Sequence, residues 1–389
     1  MYHKFQATQI FTGTELLEDQ LVLITQKDGT IEGLVGIEDA GEDIQNWEGI
    51  LTPGLINAHC HLELSHMKGI IPAHTGLQEF VKQIVGLRKV EDNIIKAAII
   101  AAEKEMYDNG IVAVGDISNT TDTLLQKEKQ LLAYYNFIEL YDLDPSRAPE
   151  KIKAGLAIQA QFEDKGLLAA LVPHAPYSCT FALLKLLATH FGSHTITMHN
   201  QETRDENEFF ENKTGSFLGM YERTKVSLDF FHATGLSSIQ SVLPKLKTAK
   251  ASIFVHNSFT NVADITAVKK EMPNPFWCLC PNANQYIEQT MPPIELLRSN
   301  GAQIIIGTDS YASNWTLNIV DELITIQQHH PKIPLAEMLS WCTLNGAHAL
   351  QMEDKLGSFE KGKKPGVVLI EGLDSNGNLT KASSAKRLI

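Results

Sequence analysis

Two histidines two residues apart, His59 and His61, close the run Pro53-Gly54-Leu55-Ile56-Asn57-Ala58-His59-Cys60-His61. Side chains alternate across a strand, so His59 and His61 point one way and Cys60 the other. Two imidazoles side by side at a strand's carboxyl end form half of a divalent-metal site. Three further groups stand in comparable places. His199 and His256 each end an apolar run, and Asp309 follows Ile304-Ile305-Ile306-Gly307-Thr308. Three imidazole nitrogens and one carboxylate, with a water, make a hydrolytic metal shell, because the metal lowers the pKa of that water. His59, His61, His199 and Asp309 can supply it. Asp309 can also take a proton from the water.

Glu202 follows His199 closely enough, in His199-Asn200-Gln201-Glu202, to face the same mouth. A carboxyl group there can carry a proton to a ring nitrogen and later to a leaving amine. His256 can hydrogen-bond the attacking water and stabilise the negative charge that develops. Cys278 and Cys280 share a strand face and read as buried, inert thiols.

These groups need elements that end in one place. Apolar β-type runs fall at 55–59, 111–116, 133–140, 167–173, 195–199, 251–256, 276–280 and 303–308, and helical patterns lie between most of them, at 93–109, 178–190, 261–270 and 294–300 among others. Gly110 and Gly301 are stop signals after two of these helices. Eight strands alternating with helices predict an α/β fold, a (β/α)8 TIM barrel spanning 52–355, with its site at the strands' carboxyl ends. The candidate ligands fall on those ends. The first fifty residues read as short β segments, at 20–25 and 30–37, and Gly366-Val367-Val368-Leu369-Ile370 has the same texture. The two ends, 1–51 and 356–389, are therefore expected to pair into a small β-sandwich domain.

Composition bounds the partners. The chain has 389 residues and a net charge of −13, which argues against a nucleic-acid partner and is neutral about a small-molecule substrate. Five cysteines without a spaced framework suggest reduced thiols in a cytoplasmic protein. Met1-Tyr2-His3-Lys4-Phe5-Gln6 has no apolar core of a signal peptide, and no stretch is long enough to span a membrane. A homodimer is the base-rate expectation for a soluble enzyme.

The same residues carry a resemblance. The chain resembles the amidohydrolase superfamily in its deaminase branch, through the His59-Cys60-His61 run, Pro173-His174-Ala175-Pro176-Tyr177-Ser178, His199-Asn200-Gln201-Glu202-Thr203, Val255-His256-Asn257 and Gly307-Thr308-Asp309-Ser310 with Ala312-Ser313-Asn314. The segment from Leu356 to Gly366 is similar to the family's return into its small β domain. The resemblance implies one divalent metal on His59, His61, His199 and Asp309, with Zn2+ first and Fe2+ second. It places His256 near the hydrolytic water and gives Glu202 the proton shuttle. The His174 segment is similar to that of S-adenosylhomocysteine and methylthioadenosine deaminases, where the equivalent histidine contacts substrate. The continuation His61-Leu62-Glu63-Leu64-Ser65, then Gly76-Leu77-Gln78-Glu79-Phe80-Val81, resembles aminofutalosine deaminases and makes Glu63 a candidate for contact with the substrate or with the groups that surround it. Binuclear members carry a bridging lysine after the fourth strand; here Leu171-Val172-Pro173-His174 has none, which favours one metal.

The resulting expectation is hydrolytic deamination of an aromatic amine, an adenosine-like nucleoside. The rivals are dehalogenation, cyclic-amide or formimino hydrolysis on the same scaffold, and a non-catalytic barrel used as an assembly scaffold.

Overall fold

The computed structural model describes residues 2–18 and 20–389. Eight strands surround the site: β1 (Leu55–Cys60), β2 (Ile111–Ser118), β3 (Ala133–Leu140), β4 (Leu168–Pro173), β5 (Thr195–Asn200), β6 (Ala251–His256), β7 (Pro275–Leu279) and β8 (Gln303–Ile306). Every residue of β1, β2, β5, β6 and β7 is buried, so these strands are covered on both faces. That explains their continuous apolar runs in place of a polar–apolar alternation. Helices connect them. Val262–Glu271 starts with a capping box, in which Asn261 accepts from the Asp264 N–H and Asp264 accepts from the Asn261 N–H.

The strand pairing is parallel throughout and divides the eight strands into two sheets of four, β1-β2-β3-β4 and β5-β6-β7-β8. This differs from the single closed sheet expected from the alternation. Hydrogen bonds join the two sheets, among them two meetings near the carboxyl ends. The His199 N–H donates to the His174 carbonyl at 2.8 Å, and the Thr308 and Asp309 N–H groups both donate to the His59 carbonyl at 3.0 Å. Gly307 makes the second meeting possible: a Cβ there would lie 2.7 Å from the His59 Cβ and 2.9 Å from the Cys278 Sγ.

The two chain ends do combine, into one sheet of seven strands. Tyr2–Phe11 runs at its centre, parallel to Gln45–Pro53 and antiparallel to Leu21–Gln26. Val367–Glu371 adds to Gln45–Pro53, and Ser384–Arg387 pairs with Val367–Glu371. Pairing thus shows one sheet where the sequence suggested two packed ones. Its apolar face has a core of its own, Phe5, Ile10, Leu23, Leu51, Phe359 and Leu369 among them, separate from the main core around β1–β8. No helix among the described residues is long and apolar enough to cross a membrane.

Candidate metal and catalytic site

The carboxyl ends of β1, β5, β6 and β8 bring the expected groups together. The donor atoms of His59, His61, His199 and Asp309 all lie within 4.8 Å of one another, and all four residues are buried. The His61 Nε2 is 3.2 Å from the His59 Nε2, 3.3 Å from the His199 Nε2 and 3.2 Å from the Asp309 Oδ1. One ring N–H cannot serve three such neighbours, so this is a convergence of lone pairs that fits a cation. Orientation of the rings supports the same conclusion. The His199 Nδ1 donates to the His174 carbonyl at 2.9 Å, which leaves its Nε2 unprotonated in the neutral ring.

Supporting hydrogen bonds fix the carboxylate. The Ser313 hydroxyl donates to the Asp309 Oδ2 at 2.6 Å, leaving Oδ1 toward the histidines. Behind it, the Asn57 side chain accepts from the Thr308 N–H and donates to the Thr308 hydroxyl. The electrostatics are those of a set built around positive charge. Burial raises the Asp309 carboxyl, yet hydrogen bonds from His59 and His61, with the charges of His61 and His256, outweigh it and hold it well below the usual carboxylate range. Burial depresses His61, but Asp309 reverses this and brings it to about 8. His59, where burial dominates, falls to about 4, and burial likewise pushes His199 well down.

Glu202 and His256 form a second pair at the same mouth. The Glu202 Oε1 lies 3.7 Å from the His256 Nε2, and both side chains are buried. Burial, with the Asp309 charge behind it, raises the Glu202 carboxyl well above the ordinary value. Such a shift favours the protonated form of the carboxyl. His256 is depressed, chiefly by burial. Its Nδ1 donates to the Asn284 Oδ1 at 2.8 Å, and the Asn284 Nδ2 donates to the Ser258 hydroxyl at 2.5 Å. The His256 Nε2 is buried without a hydrogen-bond partner among the described residues.

These groups sit at the inner end of a cleft of about 590 Å³. His174 lines it, with its Nδ1 2.5 Å from the Ser178 hydroxyl and its ring edge-on to Tyr141 and Tyr177. The outer walls are apolar, from Leu77, Phe80, Val81 and Ile84 on one helix and Met220 and Val226 opposite. Glu63 stands elsewhere. It lies behind the lining, where Oε1 accepts from the Arg88 guanidinium at 2.8 Å and Oε2 accepts from the Asn119 N–H, the Thr120 N–H and the Thr120 hydroxyl at 3.0 Å. Asn284, Asn119 and Glu139 are candidate site groups that pattern reading did not single out, and Ser313 entered it only within Ala312-Ser313-Asn314. Glu139 sits near the end of an apolar run, so the reasoning that found His199 could have found it.

Residues 50–387 match the amidohydrolase family. The chain belongs to that family. This amidohydrolase is 29% identical over 327 residues to an adenosine deaminase of Helicobacter pylori, covering 81% of this chain and 77% of that protein. It is 25% identical over 351 residues to a 5'-deoxyadenosine deaminase of Methanococcus vannielii, covering 86% of this chain and 77% of that one. It is 24% identical over 378 residues to a 5-methylthioadenosine/S-adenosylhomocysteine deaminase of Desulforudis audaxviator, covering 92% and 81%. Among solved structures, its fold is similar to Helicobacter pylori aminofutalosine deaminase in complex with methylthio-coformycin, with a TM-score of 0.79, 24% identity and full coverage of both chains.

Proposed function

We propose that this amidohydrolase removes ammonia hydrolytically from the adenine ring of an adenosine-like nucleoside. One observation carries the reading: a convergent three-imidazole, one-carboxylate set adjoins a buried Glu202–His256 pair in a single cleft. The names of the relatives point the same way. His59, His61, His199 and Asp309 would hold one divalent cation, with zinc the first choice and iron(II) the second. The end of β4, Leu171-Val172-Pro173-His174, holds no lysine to bridge two ions, which supports a single ion. Once bound, the cation lowers the pKa of a water and so supplies a nucleophile near neutral pH.

The chain's own groups then move the protons. His256 presents the lone pair on Nε2 and accepts a hydrogen bond from the attacking water. Glu202 gives its proton to the ring nitrogen beside the reacting carbon. Asp309 takes one proton of the water; Glu202, now a carboxylate, takes the other from the new C–O–H group and passes it to the exocyclic amine, and the proton on Asp309 returns to Glu202. The C–O bond forms, the C–N bond breaks, and ammonia leaves. His174 contacts the nucleoside through the ring edge away from Ser178. Glu63 supports the cleft wall through Arg88 and Asn119. The same reading treats β1–β8 as a (β/α)8 barrel over 52–355, supported by the hydrogen bonds between the two sheets, and 1–51 with 356–389 as a separate small domain.

The test is ammonia release from zinc-loaded protein on adenosine, 5'-deoxyadenosine, methylthioadenosine, S-adenosylhomocysteine and aminofutalosine, with guanine as contrast. Turnover of one adenine nucleoside at kcat/KM near or above roughly 10⁴ M⁻¹s⁻¹, abolished in Glu202→Gln, is expected. Silence on every nucleoside with one ion bound per chain would overturn the reading.

A further inference from the structure

We infer that Glu139 takes a hydrogen bond from a sugar hydroxyl of the substrate through its Oε1, an inference that rests on the nucleoside reading above. Glu139 lies near the carboxyl end of β3, its side chain only 4% exposed, and it lines the cleft beside His174. Its two oxygens are not equivalent. The Oε2 accepts from the Asn119 Nδ2 at 3.1 Å, and the same Nδ2 reaches the Glu139 carbonyl at 3.2 Å. The Oε1 is buried and has no hydrogen-bond partner among the described residues. The His199 Nδ1 is 3.4 Å away, but its hydrogen is directed to the His174 carbonyl.

A buried carboxylate oxygen without a donor is costly, and such an atom in native structures is met by a water, an ion or a ligand. A carboxylate oxygen is an acceptor, so that partner must bring an O–H or N–H. A second cation is a poor fit. Glu139, His174 and His199 offer donor atoms within 4.8 Å of one another, but the His199 Nδ1 is already committed to a carbonyl. An anionic group at this depth would be repelled. Position then selects among donors. His199 turns its Nε2 to the converging site and its Nδ1 edge to Glu139, so Glu139 lies one imidazole ring outward from the cation ligands. With the amino-bearing carbon at the ligands, the part of a nucleoside found there is the sugar joined to the base, which carries two hydroxyls.

The experiment uses the zinc-loaded full chain and the nucleoside it turns over fastest, together with the 2'-deoxy and 3'-deoxy forms. Wild type is expected to lose at least about tenfold in kcat/KM when one of the two hydroxyls is removed. In Glu139→Gln the amide must keep its carbonyl toward the Asn119 Nδ2, so its NH2 replaces Oε1 and turns the acceptor into a donor. The hydroxyl can still accept from that NH2 but loses its charge-assisted bond to a carboxylate, so the ratio between hydroxyl-bearing and deoxy substrate should fall severalfold, with the change carried by KM. Two results overturn the contact while leaving the deaminase reading intact: a wild type indifferent to both deletions, or a Glu139→Gln whose ratio equals that of wild type while kcat falls equally on every substrate. The latter would show Glu139 acting only through His199. The wild-type arm needs no variant to fold. A wild type that turns over no nucleoside at all overturns the deaminase reading and this contact together.

Discussion

Asn284 should matter to the reaction although it faces no substrate. Its Oδ1 accepts the His256 Nδ1 hydrogen at 2.8 Å, and its Nδ2 is turned toward Ser258. This selects the tautomer whose Nε2 lone pair faces Glu202, 3.7 Å away. Asn284→Ala leaves the Nδ1–H buried without an acceptor, at a cost of about 1–3 kcal/mol. The ring escapes that cost by moving its hydrogen to Nε2, which ends the lone pair at the working edge. If the whole cost appears in the transition state, kcat falls roughly 5- to 150-fold, since each 1.36 kcal/mol is a factor of ten. Asn284→Asp keeps an acceptor in place and should retain more activity than Asn284→Ala. The assay is kcat and KM for both variants, with nitrogen NMR of the His256 ring reporting where its hydrogen sits. A merely structural Asn284 would lower stability without moving the tautomer. A kcat within twofold of wild type in Asn284→Ala, with the hydrogen still on Nδ1, would refute the reasoning.

Other consequences can be checked separately. Asp309→Asn should leave little metal on the protein after dialysis, and Ser313→Ala, which removes the 2.6 Å hydrogen bond to Asp309, should weaken metal affinity about 10- to 100-fold in a chelator competition. Lys127 is fully buried against Asp116, with Asn136 also accepting from it at 2.7 Å. Lys127→Met strands the Asp116 charge and should cost about 3–5 kcal/mol in urea unfolding, while equal stability would show that water reaches the pair. Burial raises Glu322 to about 8, against pulls from the Asn282 N–H and the Asn314 amide. A folded value above the unfolded one gives stability that is full below pH 4.5 and lost as pH rises through about 8. That loss is on the order of 4 kcal/mol, and the urea midpoint of Glu322→Gln should fall less than that of wild type between pH 5 and 9. Parallel slopes would exclude Glu322 as the source.

The candidate metal-site residues were legible because they obey a local rule. His59, His199 and His256 terminate apolar runs, and strand ends converge in a parallel α/β fold. Glu202 was found by its closeness to His199 in sequence. Asn284 was not, because Pro281-Asn282-Ala283-Asn284 looks like any helix start, and only packing of that helix beneath β6 brings its amide to His256. Glu63 shows a different limit. Its nearness to His61 is real, but its partners Arg88, Asn119 and Thr120 lie 25 to 57 residues away, so no local pattern reveals that its oxygens are already committed. The same limit applies to the chain ends. Similar texture suggested that they pair, but whether strands form one sheet or two depends on long-range partners. The parallel register of Tyr2–Phe11 with Gln45–Pro53 is one of these.

Backbone conformation explains why these loops can present such groups at all. Gln201, His256, Asn257 and Asp309 all have positive φ, between 47° and 72°, and none is glycine. The left-handed region costs such residues roughly 1–3 kcal/mol each, least for Asn and Asp. They sit at the ends of β5, β6 and β8, where the chain must turn sharply off the strand while its side chain still points into the mouth. The surrounding hydrogen bonds over-determine each turn. The Asn257 side chain donates to the Phe254 and Cys278 carbonyls, and its N–H donates to the Asn200 carbonyl. The Gln201 N–H donates to Glu206, and its side chain reaches Asn207, Asp264 and Thr260. The Asp309 N–H is held by the His59 carbonyl across the meeting of β8 and β1. Strain therefore lies on residues at or beside those given chemical roles, and the polar network that offsets it lies directly behind them. Those hydrogen bonds hold the turns from behind, which is what a set of converging lone pairs requires if it is to receive a cation rather than collapse into hydrogen bonds of its own.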